Sequence, residues 1–263
     1  MIPAIAQRIC DTLVTSGSIR AVFLGGSHGT QTADPYSDVD FVIVTDDGAT
    51  DAVAVLWRAA LAPLGDIVLW RDRTVAPTLI NAILAPATRI DVLILKPDQL
   101  GRHTQDATRA LFDPDNFHQT LAATAPPSSL DPKRLAYQFE EFIRILGLLP
   151  LVMGREEYIN GVTGLMHLRT LLIDLLIAEA HVPYRGGALT LNPRLTPEQR
   201  DLLVSLPPLI PTRDGVLEAH RGYASAYLHR ARKFADANDI PWPNAFEDAT
   251  LSHIGQTLGL RIF

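Results

Sequence analysis

The sequence predicts an α/β domain with a mixed sheet followed by an all-α helical bundle, and two observations carry that expectation. Short apolar, strand-like runs alternate with helical stretches in the first half of the chain. Beyond an Ala-Pro-Pro-Ser-Ser-Leu-Asp-Pro segment at 125–132, helical periodicity takes over almost without interruption. The expected domains are therefore 1–122 and 132–263.

The elements follow in order. Pro3 to Thr15 carries Ile5, Ile9, Leu13 and Val14 as an apolar helical stripe. Ala21–Leu24 is a short buried strand that ends at Gly25-Gly26. Val39–Val44 is apolar on both faces except at Asp40, as a central strand would be. Ala52–Ala62 reads as a helix stopped by Pro63 and Gly65. Asp66–Trp70, Leu79–Leu84 and Ile90–Leu95 are three more strand-like runs, with Pro77 and Pro86 between them. In the second half, helices are expected over Lys133–Leu149, Glu156–Ala180, Pro197–Leu206 and Val216–Ala237, with a short helix at the end.

A chain of 263 residues buries enough surface to fold without disulfides or structural metals. Its 47% hydrophobic and 20% charged content is that of a soluble globular protein. The net charge of −6 argues against long nucleic acid as a partner, because backbone phosphates call for a basic surface. Cys10 is the single cysteine and reads as a small buried hydrophobe. The N-terminus lacks the apolar run of a signal peptide, and the apolar stretches are broken short of the ~20 residues a membrane span needs. A cytoplasmic location with no membrane partner is the resulting expectation.

The chemistry is concentrated in Gly25-Gly26-Ser27-His28-Gly29 and Ser37-Asp38-Val39-Asp40-Phe41. Glycines in the turn after a strand let backbone amides approach a ligand, and the Ser27 hydroxyl adds a donor suited to phosphate oxygens. Asp38 and Asp40 are two apart, so in extended backbone both side chains project from one side. Two adjacent carboxylates repel unless a cation stands between them, and hard oxygen ligands favour Mg²⁺. Asp91 lies alone in the apolar run Ile90–Ile94, where an unpaired charge is costly and a cation would relieve it. In-line displacement at the α-phosphorus of a nucleoside triphosphate, with two metal ions, is the chemistry that fits. Neither a Walker A loop nor a dinucleotide fingerprint is present.

At Gly26, Ser27, Asp38, Asp40 and Asp91 the chain resembles the polymerase-β-like nucleotidyltransferase superfamily. Its pattern is Gly-Ser, then Asp-x-Asp, then a third acid on a separate strand. The motif spans roughly residues 20–95 and no position of it is vacant. Size and domain order look most like the aminoglycoside and lincosamide nucleotidyltransferases. That resemblance implies ATP as donor, Mg²⁺ (two ions) held by Asp38, Asp40 and Asp91, and Gly26 with Ser27 at the phosphates. It also implies the hydroxyl of a small molecule such as an aminoglycoside-like antibiotic as acceptor, with pyrophosphate released. Asp91 would bind metal and also serve as base. The cleft between the two domains is expected to hold both substrates. Transfer to tRNA or protein, as in nucleotidyltransferase toxins, is the alternative within the chemistry. A catalytically silent nucleotide-binding module is the alternative outside it.

Other polar residues have ordinary explanations beside the functional ones. His28 is either a phosphate contact or an exposed turn residue; Ser37, Asp34, Asp46 and Asp47 read as turn and cap residues. In the helical half, Asp174 interrupts Leu171–Leu176 as a partner for a cationic acceptor or as half of a salt bridge. Arg230, Arg232 and Lys233 read as a solvated face, and Tyr158, Tyr223 and Tyr227 as packing residues.

Overall fold

The computed structural model describes residues 2–73, 77–126, 130–180 and 190–262. The chain divides into two compact units, Met1–Pro127 and, in the main, Ser128–Tyr184 with Thr190–Phe263.

The first unit is built on a six-stranded mixed sheet in the order β3-β4-β5-β2-β1-β6. In chain order its elements are α1 (Ala4–Leu13), β1 (Ile19–Leu24), the one-turn α2 (Gly26–Gly29), β2 (Val39–Thr45), α3 (Thr50–Leu61), β3 (Ile67–Arg73), β4 (Thr78–Leu84), β5 (Thr88–Leu95), β6 (Arg109–Phe112) and the short α4 (Phe117–Thr120). β2 and β5 run parallel, and every other pairing is antiparallel. A parallel pair needs a crossover rather than a hairpin, and α3, β3 and β4 supply it.

Alternation along β2 explains the layers. Val39, Phe41 and Ile43 face α1 and α3, where Ile9, Leu13, Val53 and Trp57 close one core. Phe41 meets Trp57 edge-on with ring centroids 5.0 Å apart. Val42 and Val44 face the other way, packing with Ala21, Phe23, Leu95, Leu100 and Leu121. Asp40 is on this second face, beyond the end of its apolar patch. Cys10 is buried in α1, as expected of a small hydrophobe. β6 is too short for its pattern to register in sequence, and it pairs with β1 as an outer strand.

The second unit is helical: α5 (Pro132–Leu146), α6 (Leu149–Gly154), α7 (Tyr158–Ala180), α8 (Pro197–Ser205), α9 (Arg213–Ala237) and α10 (Asn244–Leu258). The helix expected over 133–149 is divided, because Gly147 ends α5 and Pro150 is tolerated only in the first turn of a new helix. Starts follow capping chemistry. The Asp131 side chain accepts from the Lys133 and Arg134 amides, Thr196 forms a capping box with Gln199, and Thr212 accepts from the Gly215 amide. Thr212 thereby starts α9 three residues before the expected Val216. Phe139, Phe142, Leu165, Leu168, Leu172, Tyr223 and Tyr227 fill the core, with Phe142 and Tyr227 stacked at 3.7 Å.

α7 corrects one expectation. With 23 residues and high mean hydropathy, it alone among the described helices is long and apolar enough to cross a membrane. Its Leu165, Leu168, Leu172, Leu175 and Leu176 are buried within the bundle. Gly161 allows α7 to pack closely, because a Cβ there would stand 2.9 Å from a Val152 methyl and 3.1 Å from a Val216 methyl. Overpacking of this kind costs about 1–3 kcal/mol. Gly161→Ala is expected to lower the urea unfolding midpoint accordingly, whereas Gly154→Ala, with nothing within 4 Å of the new Cβ, is expected not to.

Candidate active site

The acids converge because of strand register. In the parallel pair of β2 and β5, Asp40 stands directly opposite Asp91. Neighbouring strands are about 4.8 Å apart, so two carboxylates project side by side from one face. Asp38 precedes β2 on the same face by alternation. Arg89 holds it there, with Nη1 3.6 Å from Asp38 Oδ2 and Nη2 donating to the Tyr36 carbonyl at 3.2 Å.

The glycine turn lies against the same carboxylates. The Gly25 amide donates to the Asp40 carbonyl at 2.8 Å, tying the end of β1 to the start of β2. Gly26 has φ of +50°, and a Cβ there would run into Asp40 Oδ2. Only glycine therefore fits between turn and carboxylate. Ser27 is the next residue, and its Oγ is buried without a hydrogen-bond partner among the described residues. A buried hydroxyl left unmatched is costly, so its presence beside an acid cluster points to a polar ligand atom. The turn continues as one helical turn rather than as open loop, with the Gly29 amide donating to Gly25 and the Thr30 amide to Gly26.

A cavity of about 360 Å³ opens here. Gly26, Asp40 and Asp91 line it with Thr30, His103 and Ala107, and its apolar floor is Val42, Leu79 and Leu93. Burial, and then the charges of Asp38 and Asp91, push Asp40 up to about 6 against the pull of Arg89. Burial also raises Asp91, opposed by a hydrogen bond of 2.7 Å that Asn81 Nδ2 donates to Asp91 Oδ2. Among the described residues, no three His, Cys, Asp or Glu side chains are drawn together into a ready-made cation cage. That is the expected behaviour of like charges, and Mg²⁺ sites take few protein ligands and complete their shell with water and substrate phosphates. The residues present fit such an ion: hard carboxylate oxygens on adjacent strands, proton affinities raised first by burial, and an orphan hydroxyl alongside.

The structure thus brings Gly26, Asp40 and Asp91 to one cavity, with Asp38 and Ser27 adjacent. Ser37 bonds with Asp34, Asp46 with Arg20 and Asp47 with Lys96, so these have structural roles. His28 is half-buried, and burial lowers its imidazole. Asn81 and Arg89 were missed as site residues. Asn81 shows in sequence only as one amide in Thr78–Leu84; its opposition to Asp91 is a product of β4–β5 register.

The helical unit absorbs the remaining candidates. Asp174 accepts from Gln138 at 3.0 Å and lies 3.8 Å from Arg134; Arg230 pairs with Glu179 and Arg232 with Glu247. Arg169 donates to the Tyr223 hydroxyl at 3.1 Å.

Comparison with known proteins bears on the first unit. Residues 6–75 match the family model of the nucleotidyltransferase domain, a span holding Gly26, Ser27, Asp38 and Asp40. No curated protein matches the sequence. Among solved structures, an aminoglycoside 6-adenyltransferase from Bacillus subtilis is 11% identical, with 97% of this chain and 98% of that one covered and a TM-score of 0.42. A nucleotidyltransferase-like protein from Exiguobacterium sibiricum is 12% identical over 97% and 89% of the two chains, with a TM-score of 0.37. A spectinomycin adenyltransferase from Enterococcus faecialis, solved with ATP and spectinomycin, is 12% identical over 76% and 96%, with a TM-score of 0.32.

The displaced proton affinity of Asp40 has a measurable consequence for stability. Its carboxyl titrates near 6 in the fold and near 3.8 when unfolded, so the ionised form opposes folding. The penalty is absent below about pH 4, grows between the two values and is complete above about pH 6, at roughly 1–3 kcal/mol. In cation-free buffer, Asp40→Asn is expected to unfold at higher urea than wild type at pH 8, with the difference fading towards pH 4. Equal or lower stability of the variant at pH 8 would show that the charge is compensated.

Proposed function

Starting from the nucleotidyltransferase domain at residues 6–75, we propose that the protein is a Mg²⁺-dependent nucleotidyltransferase. It transfers a nucleoside monophosphate, AMP from ATP, to the hydroxyl of a small molecule and releases pyrophosphate. The observation that carries this reading is the parallel register placing Asp40 beside Asp91, next to a glycine turn with an unmatched, buried Ser27 hydroxyl.

Each residue has a role derived from its surroundings. Asp38, Asp40 and Asp91 are the carboxylates that would hold two Mg²⁺ ions. When bound, the ions offset charge on the attacking and departing oxygens. Gly26 lets the backbone come close, and Ser27 donates its hydroxyl to a phosphate oxygen. Asn81 occupies one oxygen of Asp91 and so orients the carboxylate. The other oxygen faces the acceptor hydroxyl and accepts its proton. The acceptor oxygen bonds to the α-phosphorus as the bond to the bridging oxygen breaks, and that electron pair leaves with pyrophosphate. ATP supply places the reaction in the cytoplasm.

α-Labelled ATP with Mg²⁺, offered to a panel including kanamycin, streptomycin and lincomycin, tests this reading. Transfer to a small molecule supports it, label on RNA or protein shifts the acceptor class, and nucleotide binding without transfer to any acceptor supports a silent module. Asp91→Asn is expected to reduce turnover by at least about 100-fold with a melting temperature no lower than that of wild type; a variant retaining most of its turnover removes Asp91 from both roles. Ser27→Ala is expected to weaken nucleotide binding by about fivefold to tenfold, corresponding to one hydrogen bond. The same variant is expected to leave the unfolding midpoint equal or higher, because the unmatched buried hydroxyl is gone.

A further inference from the structure

The acid face continues past Asp91 in a way the nucleotide site does not use. Asp40, Asp91, Asn81 and Arg71 are successive register partners across β2, β5, β4 and β3. The row beside it runs Val42, Leu93, Leu79 and Arg73, so both arginines extend the face that floors the cavity. Alternation confirms the direction, because Trp70 faces α3, where the Arg58 guanidinium lies 4.7 Å over its ring. Asp72 shares the face of Trp70 and is no partner for its neighbours.

Arg71 and Arg73 are exposed and, among the described residues, neither forms an ion pair or side-chain hydrogen bond. Arg89, on the same face, is by contrast committed to Asp38 and the Tyr36 carbonyl. Charges on an outer strand also deter strand pairing. That role is indifferent to sign and face, whereas here two positive charges continue the row of acids. They stand on the opposite side of Asp91 from Gly26 and Ser27, because the strand order is β3-β4-β5-β2-β1. The donor phosphates belong to the glycine turn, which leaves β4 and β3 to the acceptor. Two strand spacings, about 10 Å, separate Arg71 from Asp91.

We propose that the exposed face of β3 and β4 is the acceptor subsite, and that it takes a hydroxyl compound whose phosphate lies on the β3 side, within reach of the flexible Arg71 and Arg73 side chains. Guanidinium groups pair with phosphate through short, charge-assisted hydrogen bonds. A polycationic acceptor approaching Asp91 from this side meets repulsion instead. The assignment rests on the transfer reading, in which Asp91 receives the hydroxyl. A sugar phosphate and the 3′ end of a short RNA share the required chemistry.

The full chain with Mg²⁺ and a non-hydrolysable ATP analogue, titrated calorimetrically with ribose 5-phosphate, ribose, a five-nucleotide oligoribonucleotide and streptomycin, tests the subsite. A phosphate-bearing compound is expected to bind at least about tenfold more tightly than ribose or streptomycin. The double substitution Arg71→Gln and Arg73→Gln is expected to remove that advantage, leaving the affinity for the analogue and the melting temperature unchanged. Tighter binding of the oligonucleotide than of ribose 5-phosphate assigns an RNA end, and the reverse order a metabolite; either supports the subsite. Equal or tighter binding of ribose or streptomycin, no binding of either phosphate compound, or an unaltered double variant overturns it. Loss of analogue binding alone is a failure of the nucleotide site, because the phosphate titrations are repeated without the analogue.

Discussion

The parallel pairing of β2 with β5 is the constraint on which the rest of the first unit depends. Shifted by one residue, it would turn Asp91 away from Asp40 and towards the core built by α1 and α3. The alternation Val39, Phe41, Ile43 against Ile90, Val92, Ile94 prevents that slip, since each set is buried under the helices. The hydrophobic effect, acting on residues with no chemical role, thus aims the carboxylates.

Holding those charges together works against folding. Asp40 is pressed between a glycine with no Cβ and the charges of Asp38 and Asp91, with Arg89 giving partial relief. The unmatched Ser27 hydroxyl adds to the cost. Such unfavourable features, clustered in one cavity, are the usual cost of groups waiting for a ligand. Four other polar candidates do not share this character: Asp174, Arg230, Arg232 and Ser37 all have protein partners.

The same face also shows an ordered change of sign. Along the row through Asp40, negative groups occupy β2 and β5, an amide follows on β4, and a positive group stands on β3. A sheet can present such a series because lateral partners sit at a fixed spacing on a fixed face, independent of their distance in sequence.

Much of this was legible beforehand. Period-two alternation marked Val39–Val44 as central and set Asp40 apart. Two-residue spacing paired Asp38 with Asp40, and the Pro-rich stretch separated strand-forming from helical chain. These features are local, and local sterics and hydrophobic periodicity are written directly in sequence. The start of α8 at Thr196 followed from its cap for the same reason, whereas the ends at Gly147 and Thr212 departed from what apolar periodicity predicts. Strand partnership is different in kind. That Asn81 meets Asp91, that Arg89 meets Asp38, and that Arg71 continues the row all follow from register between strands. Register is settled by burial summed over a whole sheet rather than by any residue's neighbours in the chain.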